Sequence, residues 1–105
     1  MAAADGFSSE ARVSIASPRR YLGQLCKHFG HKMPATYADD YGSGRIEFPD
    51  LGICTLEADE ASGLLVTRAT AATEGDLARL EGVVGRHLER FAFRDPVAVT
   101  WTRDV

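Results

Sequence analysis

The chain has 105 residues, 45% of them apolar and 26% charged. That is enough for one domain with a modest core, and too apolar for a disordered chain. Twelve Lys and Arg stand against fifteen Asp and Glu, a net charge of −3, without the basic surplus of a dedicated nucleic-acid binder. No apolar run approaches the roughly 20 residues that span a bilayer, so neither a nucleic-acid nor a membrane partner is expected.

Residues 1–10 are small and polar apart from Phe7 and are expected to be a disordered tail, with residues 11–105 forming a single domain. The opening seven residues have neither the basic n-region nor the apolar h-region of a secretory signal. Cys26 and Cys54, 28 residues apart, each sit in an apolar pattern and are read as reduced and buried. Both observations point to a cytoplasmic protein.

Residues 12–16 alternate, with Val13 and Ile15 on one face, and predict a short half-buried strand. Ser17-Pro18 reads as an N-cap followed by proline at the first helical position. Leu22, Leu25, Cys26 and Phe29 then recur as one apolar stripe, so a helix is expected over residues 18–29 with Gly30 as its stop. Met33, Ala35 and Tyr37 alternate weakly. Residues 39–44 have turn composition, and residues 45–48 read as a strand with Ile46 and Phe48 inward. Pro49 to Gly52 turns the chain again. Residues 53–58 form a strand presenting Cys54, Leu56 and Ala58, and residues 64–69 form a further one after a polar turn. The short spacings favour an antiparallel meander.

Thr73 opens a second helix over residues 74–92, with Asp76 in the place of the usual capping-box acid. Its stripe is Leu77, Leu80, Val84, Leu88 and Phe91, widened by Val83. Asp95-Pro96 breaks the pattern, and Val97, Val99 and Trp101 alternate in a predicted final strand. The order β-α-β-β-β-β-α-β gives an α+β fold: a two-layer sandwich, mainly antiparallel sheet, with two helices on one face.

Charge is uneven. Residues 34–76 hold nine acidic and two basic groups, while basic groups gather at two helix ends. One cluster is Cys26, Lys27, His28, His31 and Lys32. The other is Arg86, His87, Arg90 and Arg94. Cations at a helix C-terminus complement the dipole, so a purely structural account is available. All three histidines nevertheless fall in these clusters. His87 lies on the inward side of helix two and His28 borders the stripe of helix one. Neutral imidazoles there can hydrogen-bond each other or a carbonyl. Alternatively, Cys26, His28, His31 and His87 are a candidate set for zinc, iron or copper, although residues 26 and 28 of one helix point about 200° apart. No glycine-rich phosphate loop, dinucleotide fingerprint or Gly-x-Ser-x-Gly elbow is present. The carboxylate pairs Asp39-Asp40 and Asp59-Glu60 lie in turns and read as solvated. No catalytic residue or cofactor is assigned.

Three stretches carry a resemblance: Arg20 to Phe29 (Arg-Tyr-Leu-Gly-Gln-Leu-Cys-Lys-His-Phe), Gly44 to Phe48, and Val83 to Arg94 with its His-Leu-Glu-Arg-Phe-Ala-Phe-Arg segment. With the late Trp101, these resemble the bacterial domain-of-unknown-function family 2218 over about residues 11–103. The resemblance implies a small bacterial α+β protein without an established activity. Similar domains also occur beside or fused to siderophore-interacting flavin reductases, which implies a link to iron handling and such a reductase as a partner. The motif positions carried onto this chain are Arg20, Tyr21, His28, His31, Lys32, His87 and Arg94.

Three functions stand against one another. The first is a non-catalytic binding or accessory domain for a small anionic ligand or metal chelate. Its candidate residues are Arg20, Tyr21, His28, His31, Lys32, Arg86, His87, Arg90 and Arg94. The second is an interaction module, a homodimer joined through a patch including Tyr21, Tyr37, Phe93 and Trp101. The third is a small enzyme using His28 or His87 as general acid or base, which requires an open cleft and a hydrogen-bonded partner.

Overall fold

The computed structural model describes residues 6–104. The elements follow the expected order: β1 (Phe7–Ser14), α1 (Pro18–Gly30), β2 (Ala35–Tyr37), β3 (Ser43–Phe48), β4 (Gly52–Asp59), β5 (Leu64–Ala71), α2 (Glu74–Phe91) and β6 (Thr102–Arg103). The strands make one six-stranded sheet in the order β2-β3-β4-β5-β1-β6. Every pairing is antiparallel. The fold is therefore a two-layer α+β sandwich.

Strand alternation decides which face is covered. The register sets Ile46 beside Cys54 and Cys54 beside Ala69, and it aligns Leu56, Thr67 and Ala11 in the next row. All of these are buried. The helical stripes Leu22, Leu25, Cys26 and Phe29 of α1 and Leu77, Leu80, Val84 and Leu88 of α2 close over that face in the same core. Each fully buried leucine contributes about 1.5–3 kcal/mol of hydrophobic stabilisation before entropy is counted. The opposite face is polar: Arg68 reaches Glu10 at 3.0 Å and Asp104 at 2.6 Å. No helix among the described residues is long and apolar enough to cross a membrane.

Several expectations are corrected. β1 begins at Phe7 rather than near residue 12, and residues 7–10 pair with β5 from Phe7–Ala71 to Glu10–Arg68. Backbone pairing and the inward side chain of Ser9, fully buried, hold a stretch whose composition suggested a tail. The remainder of that tail, residues 1–5, lies outside the described residues. Ser17 does not cap α1. It is left-handed, with φ of 57° and no side-chain cap bond, and the Arg19 N–H donates instead to the Glu60 carboxylate at 2.8 Å. Gly30 does not stop α1 but is its last helical residue. The Lys32 and Met33 N–H groups both donate to the Phe29 carbonyl, at 3.0 and 2.9 Å, and Pro34 then disfavours helical geometry at Met33. Thr73 does cap α2, its hydroxyl accepting the Asp76 N–H at 3.0 Å.

The predicted final strand over Val97, Val99 and Trp101 is absent. The Val99 N–H donates to the Glu89 carboxylate at 3.1 Å, and Val99 and Trp101 pack beside Gly85 of α2. The alternation there reflects a segment lying along a helix, not a sheet ladder. Pairing with β1 begins further on, at Thr102 and Arg103.

Candidate functional site

On α1, Tyr21 and His28 are seven residues apart and flank the buried stripe on one side. On α2, His87 and Phe91 are one turn apart. Packing α1 beside α2 brings these side chains together. The His28 and His87 ring centroids are 5.1 Å apart, with a 45° angle between the rings. Two phenyl rings flank the pair. Phe29 lies 5.0 Å from His28 and 4.8 Å from His87. Phe91 lies 5.4 Å from His28 and 6.2 Å from His87. Phe29 in turn packs 4.9 Å from Phe48, which ties the site to the sheet. His28 is exposed and His87 half-buried.

The His87 Nδ1 atom is 2.7 Å from the Val83 carbonyl. A carbonyl only accepts, so Nδ1 carries the proton, and Nε2 of the neutral ring is left as an acceptor. Burial holds the His28 pKa below its ordinary value, and His87, His31, Lys32 and Arg90 push it the same way. Every charged neighbour acting on His28 is thus a base. Among the described residues, no ion pair involves Arg20, Lys32, Arg86, Arg90 or Arg94. The nearby acids of α2 are committed elsewhere, Glu81 to Arg103 at 3.1 Å and Glu89 to the Val99 N–H at 3.1 Å.

Phe91 is also a wall of an adjoining pocket of about 270 Å³, which it shares with Arg20, Tyr21, Phe93 and Arg94. The Arg20 guanidinium lies 6.0 Å from the Tyr21 ring, and that of Arg94 lies 5.4 Å from the Phe93 ring. Phe93 is 69% exposed. Helical spacing placed Phe91 in the core stripe. Its position one turn beyond His87 was the available signal that it would also line the site.

Not all sequence-predicted residues gather here. Arg86 lies on another side of α2, in a groove with Gly82, Gly85 and Trp101. Its Nη1 sits only 2.7 Å from where a Cβ on Gly82 would stand. Lys27 lies over the Tyr41 ring at 4.7 Å. Cys26 faces the core, with Sγ against Gly44, and burial pushes its thiol up to about 11. The four candidate metal ligands Cys26, His28, His31 and His87 therefore do not converge, since one helix cannot aim residues 26 and 28 at a common point. Among the described residues, no group of three or more His, Cys, Asp or Glu side chains is placed to hold a metal ion.

The aromatic residues considered for a dimer patch fall in three places. Tyr21 and Phe93 line the interhelical pocket, Tyr37 stacks near Tyr41 at 5.6 Å, and Trp101 lies beside Gly85. A larger surface depression, about 570 Å³, lies elsewhere, between the β3–β4 turn and the start of α2. It combines Phe48, Leu51 and Ile53 with Glu47, Asp50 and Asp76, and holds no basic side chain. Volume alone does not make it the chemical site, because the titratable and cationic groups converge between the helices.

Fold and site together define a small α+β domain with an imidazole pair and unpaired cations between its two helices. Over residues 10–102 the chain matches the family described as an uncharacterized protein conserved in bacteria (DUF2218), and it belongs to that family. Among solved structures it is similar to the NMR structure of PA4090 from Pseudomonas aeruginosa. The two share 31% identity over 91% of this chain and 95% of that one, with a TM-score of 0.74. No curated protein matches the chain.

Proposed function

We propose that this domain is a non-catalytic binding protein for a small anionic ligand taken between α1 and α2. The single observation that carries this reading is the imidazole pair, 5.1 Å apart, in which the charged neighbours acting on His28 are all bases. Protonating His28 places positive charge against His87, His31, Lys32 and Arg90. A bound anion removes that repulsion and accepts their hydrogen bonds. The same charges repel a bare metal cation but favour a chelate of net negative charge. A ferric chelate is one ligand of this class, and a siderophore-interacting reductase is the partner that would share it. The Val83 carbonyl fixes the His87 ring through Nδ1 and leaves Nε2 to meet a ligand.

The test is NMR of the histidine rings during titration with phosphate, ferric citrate and zinc. The expected result is that phosphate shifts, and ferric citrate shifts or broadens, both His28 and His87. A response to zinc alone would instead support a metal site. Silence at both rings toward all three probes would end the reading.

A further inference from the structure

We infer that the anion site between the helices extends into the adjoining pocket, where Arg20 and Arg94 take a carboxylate carried on an aromatic ring, making the ligand an aryl carboxylate. This rests on the anion-binding reading above and specifies the ligand. Three aromatic side chains and two guanidinium groups line one pocket: Tyr21, Phe91 and Phe93 with Arg20 and Arg94. Its volume of about 270 Å³ corresponds to about nine waters at about 30 Å³ each. A cavity of about 150 Å³ holds one benzene, so the pocket has room for a benzene ring bearing a carboxylate.

Each part of such a ligand meets a group that the protein leaves unsatisfied. Phe93 is 69% exposed, so its ring presents apolar surface to water beside the pocket. A flat ring seated there removes that surface and offers faces and edges to the three aromatic walls. Among the described residues, neither Arg20 nor Arg94 is in an ion pair. Each is exposed and lies near a ring that lines the same pocket, at 6.0 and 5.4 Å, which sets its planar fork at the pocket's edge. A carboxylate matches that fork with two parallel hydrogen bonds. An aliphatic anion leaves the aromatic walls without a partner, and an uncharged aromatic leaves the two guanidinium groups unneutralised. Phe91 is also 5.4 Å from His28, so filling the pocket is felt at the imidazole pair.

The experiment is NMR titration of the full chain with benzoate, cyclohexanecarboxylate, benzyl alcohol and inorganic phosphate, following the Tyr21, Phe91 and Phe93 rings and the His28 and His87 rings. Benzoate is expected to shift the aromatic rings saturably and to bind about tenfold more tightly than cyclohexanecarboxylate or benzyl alcohol. Arg94→Gln and Arg20→Gln, both exposed positions, are each expected to weaken benzoate about tenfold while leaving the amide spectrum dispersed. Equal binding of benzoate and cyclohexanecarboxylate overturns the aromatic requirement, and equal binding of benzoate and benzyl alcohol overturns the carboxylate requirement. Phosphate shifting His28 and His87 while benzoate leaves every ring unmoved overturns this inference and spares the anion-binding reading. Silence toward all four probes overturns both.

Discussion

Replacing Gly44 by alanine tests how α1, and with it His28, is held against the sheet. Gly44 lies in β3 beneath α1. A Cβ added there would stand 2.7 Å from Cys26 Sγ and 3.2 Å from Leu22 Cδ2, against the roughly 3.5–4.0 Å at which heavy atoms attract. Both neighbours are fully buried, so relief requires α1 to shift. Overpacking of this kind costs about 1–3 kcal/mol, and the lower chain entropy of alanine returns about 0.5–1 kcal/mol. The net loss is about 1–2 kcal/mol, which lowers the melting temperature by about 4–8 °C per kcal/mol in a domain of this size. Urea unfolding followed by circular dichroism measures it. Adding Cys26→Ala removes the sulfur from the clash. In that background Gly44→Ala should become nearly neutral, giving a coupling of about 1–2 kcal/mol between the two sites. His28 follows Cys26 by two residues, so its ring resonances should move in Gly44→Ala and return in the double variant. Wild-type stability in Gly44→Ala, or two losses that simply add within about 0.5 kcal/mol, would refute the packing argument.

Three further outcomes are expected. A base whose pKa is lower folded than unfolded binds protons more readily when unfolded, so the stability contribution of His28 is present above its unfolded pKa near 6.5 and is lost as pH falls below it. Melting at pH 5.5 should fall below that at pH 7.5, phosphate should narrow the gap, and His28→Gln should shrink it; an unchanged gap in that variant would count against the repulsion described. The lowered carboxyl pKa values of Asp59, Glu81 and Asp104 act in the same direction but in the more acidic carboxylate range. At the helix starts, Thr73→Ala should cost about 1 kcal/mol through its lost cap. Ser17→Gly should instead stabilise by about 0.5–1 kcal/mol by relieving a left-handed serine, and chemical denaturation reading the two changes with the same sign would contradict the cap geometry. Burial pushes the Cys26 and Cys54 thiols up to about 11 and about 12, so iodoacetamide at pH 8 should label neither in the native protein and both after unfolding. Rapid native labelling would show that the thiols are not sealed.

The helices and inner strands were legible because their signal is periodic burial. Leu22, Leu25, Cys26 and Phe29 repeat at helical spacing, while Ile46 and Phe48, or Cys54 and Leu56, repeat at strand spacing, and all are buried. What the pattern missed was decided by partners distant in sequence. Ser17 is a good N-cap by type, but Glu60 from the β4–β5 turn takes the Arg19 N–H. Residues 7–10 look like a tail because their stability lies in main-chain pairing with β5, which composition does not encode. Val97, Val99 and Trp101 alternate as a strand would, yet a glutamate on α2 supplies the hydrogen-bond acceptor that a neighbouring strand was expected to supply. Alternation reports a half-buried extended chain, not what it lies against.

The same misread segment explains why the site is charged as it is. In the sequence, Glu81 and Glu89 are interspersed with Arg86, His87 and Arg90, and local spacing suggests partial neutralisation. In the fold, the segment over residues 97–103 engages both acids, Glu89 through the Val99 N–H and Glu81 through Arg103. Arg86 lies in that same groove, away from the histidines. The interhelical side is left with His28, His31, Lys32, His87, Arg90 and Arg94 and no acidic partner from α2. An excess of positive charge on a chain of net negative charge is therefore a product of tertiary structure. It arises because the C-terminal segment captures the acids of one helix face and leaves the bases of the next without them.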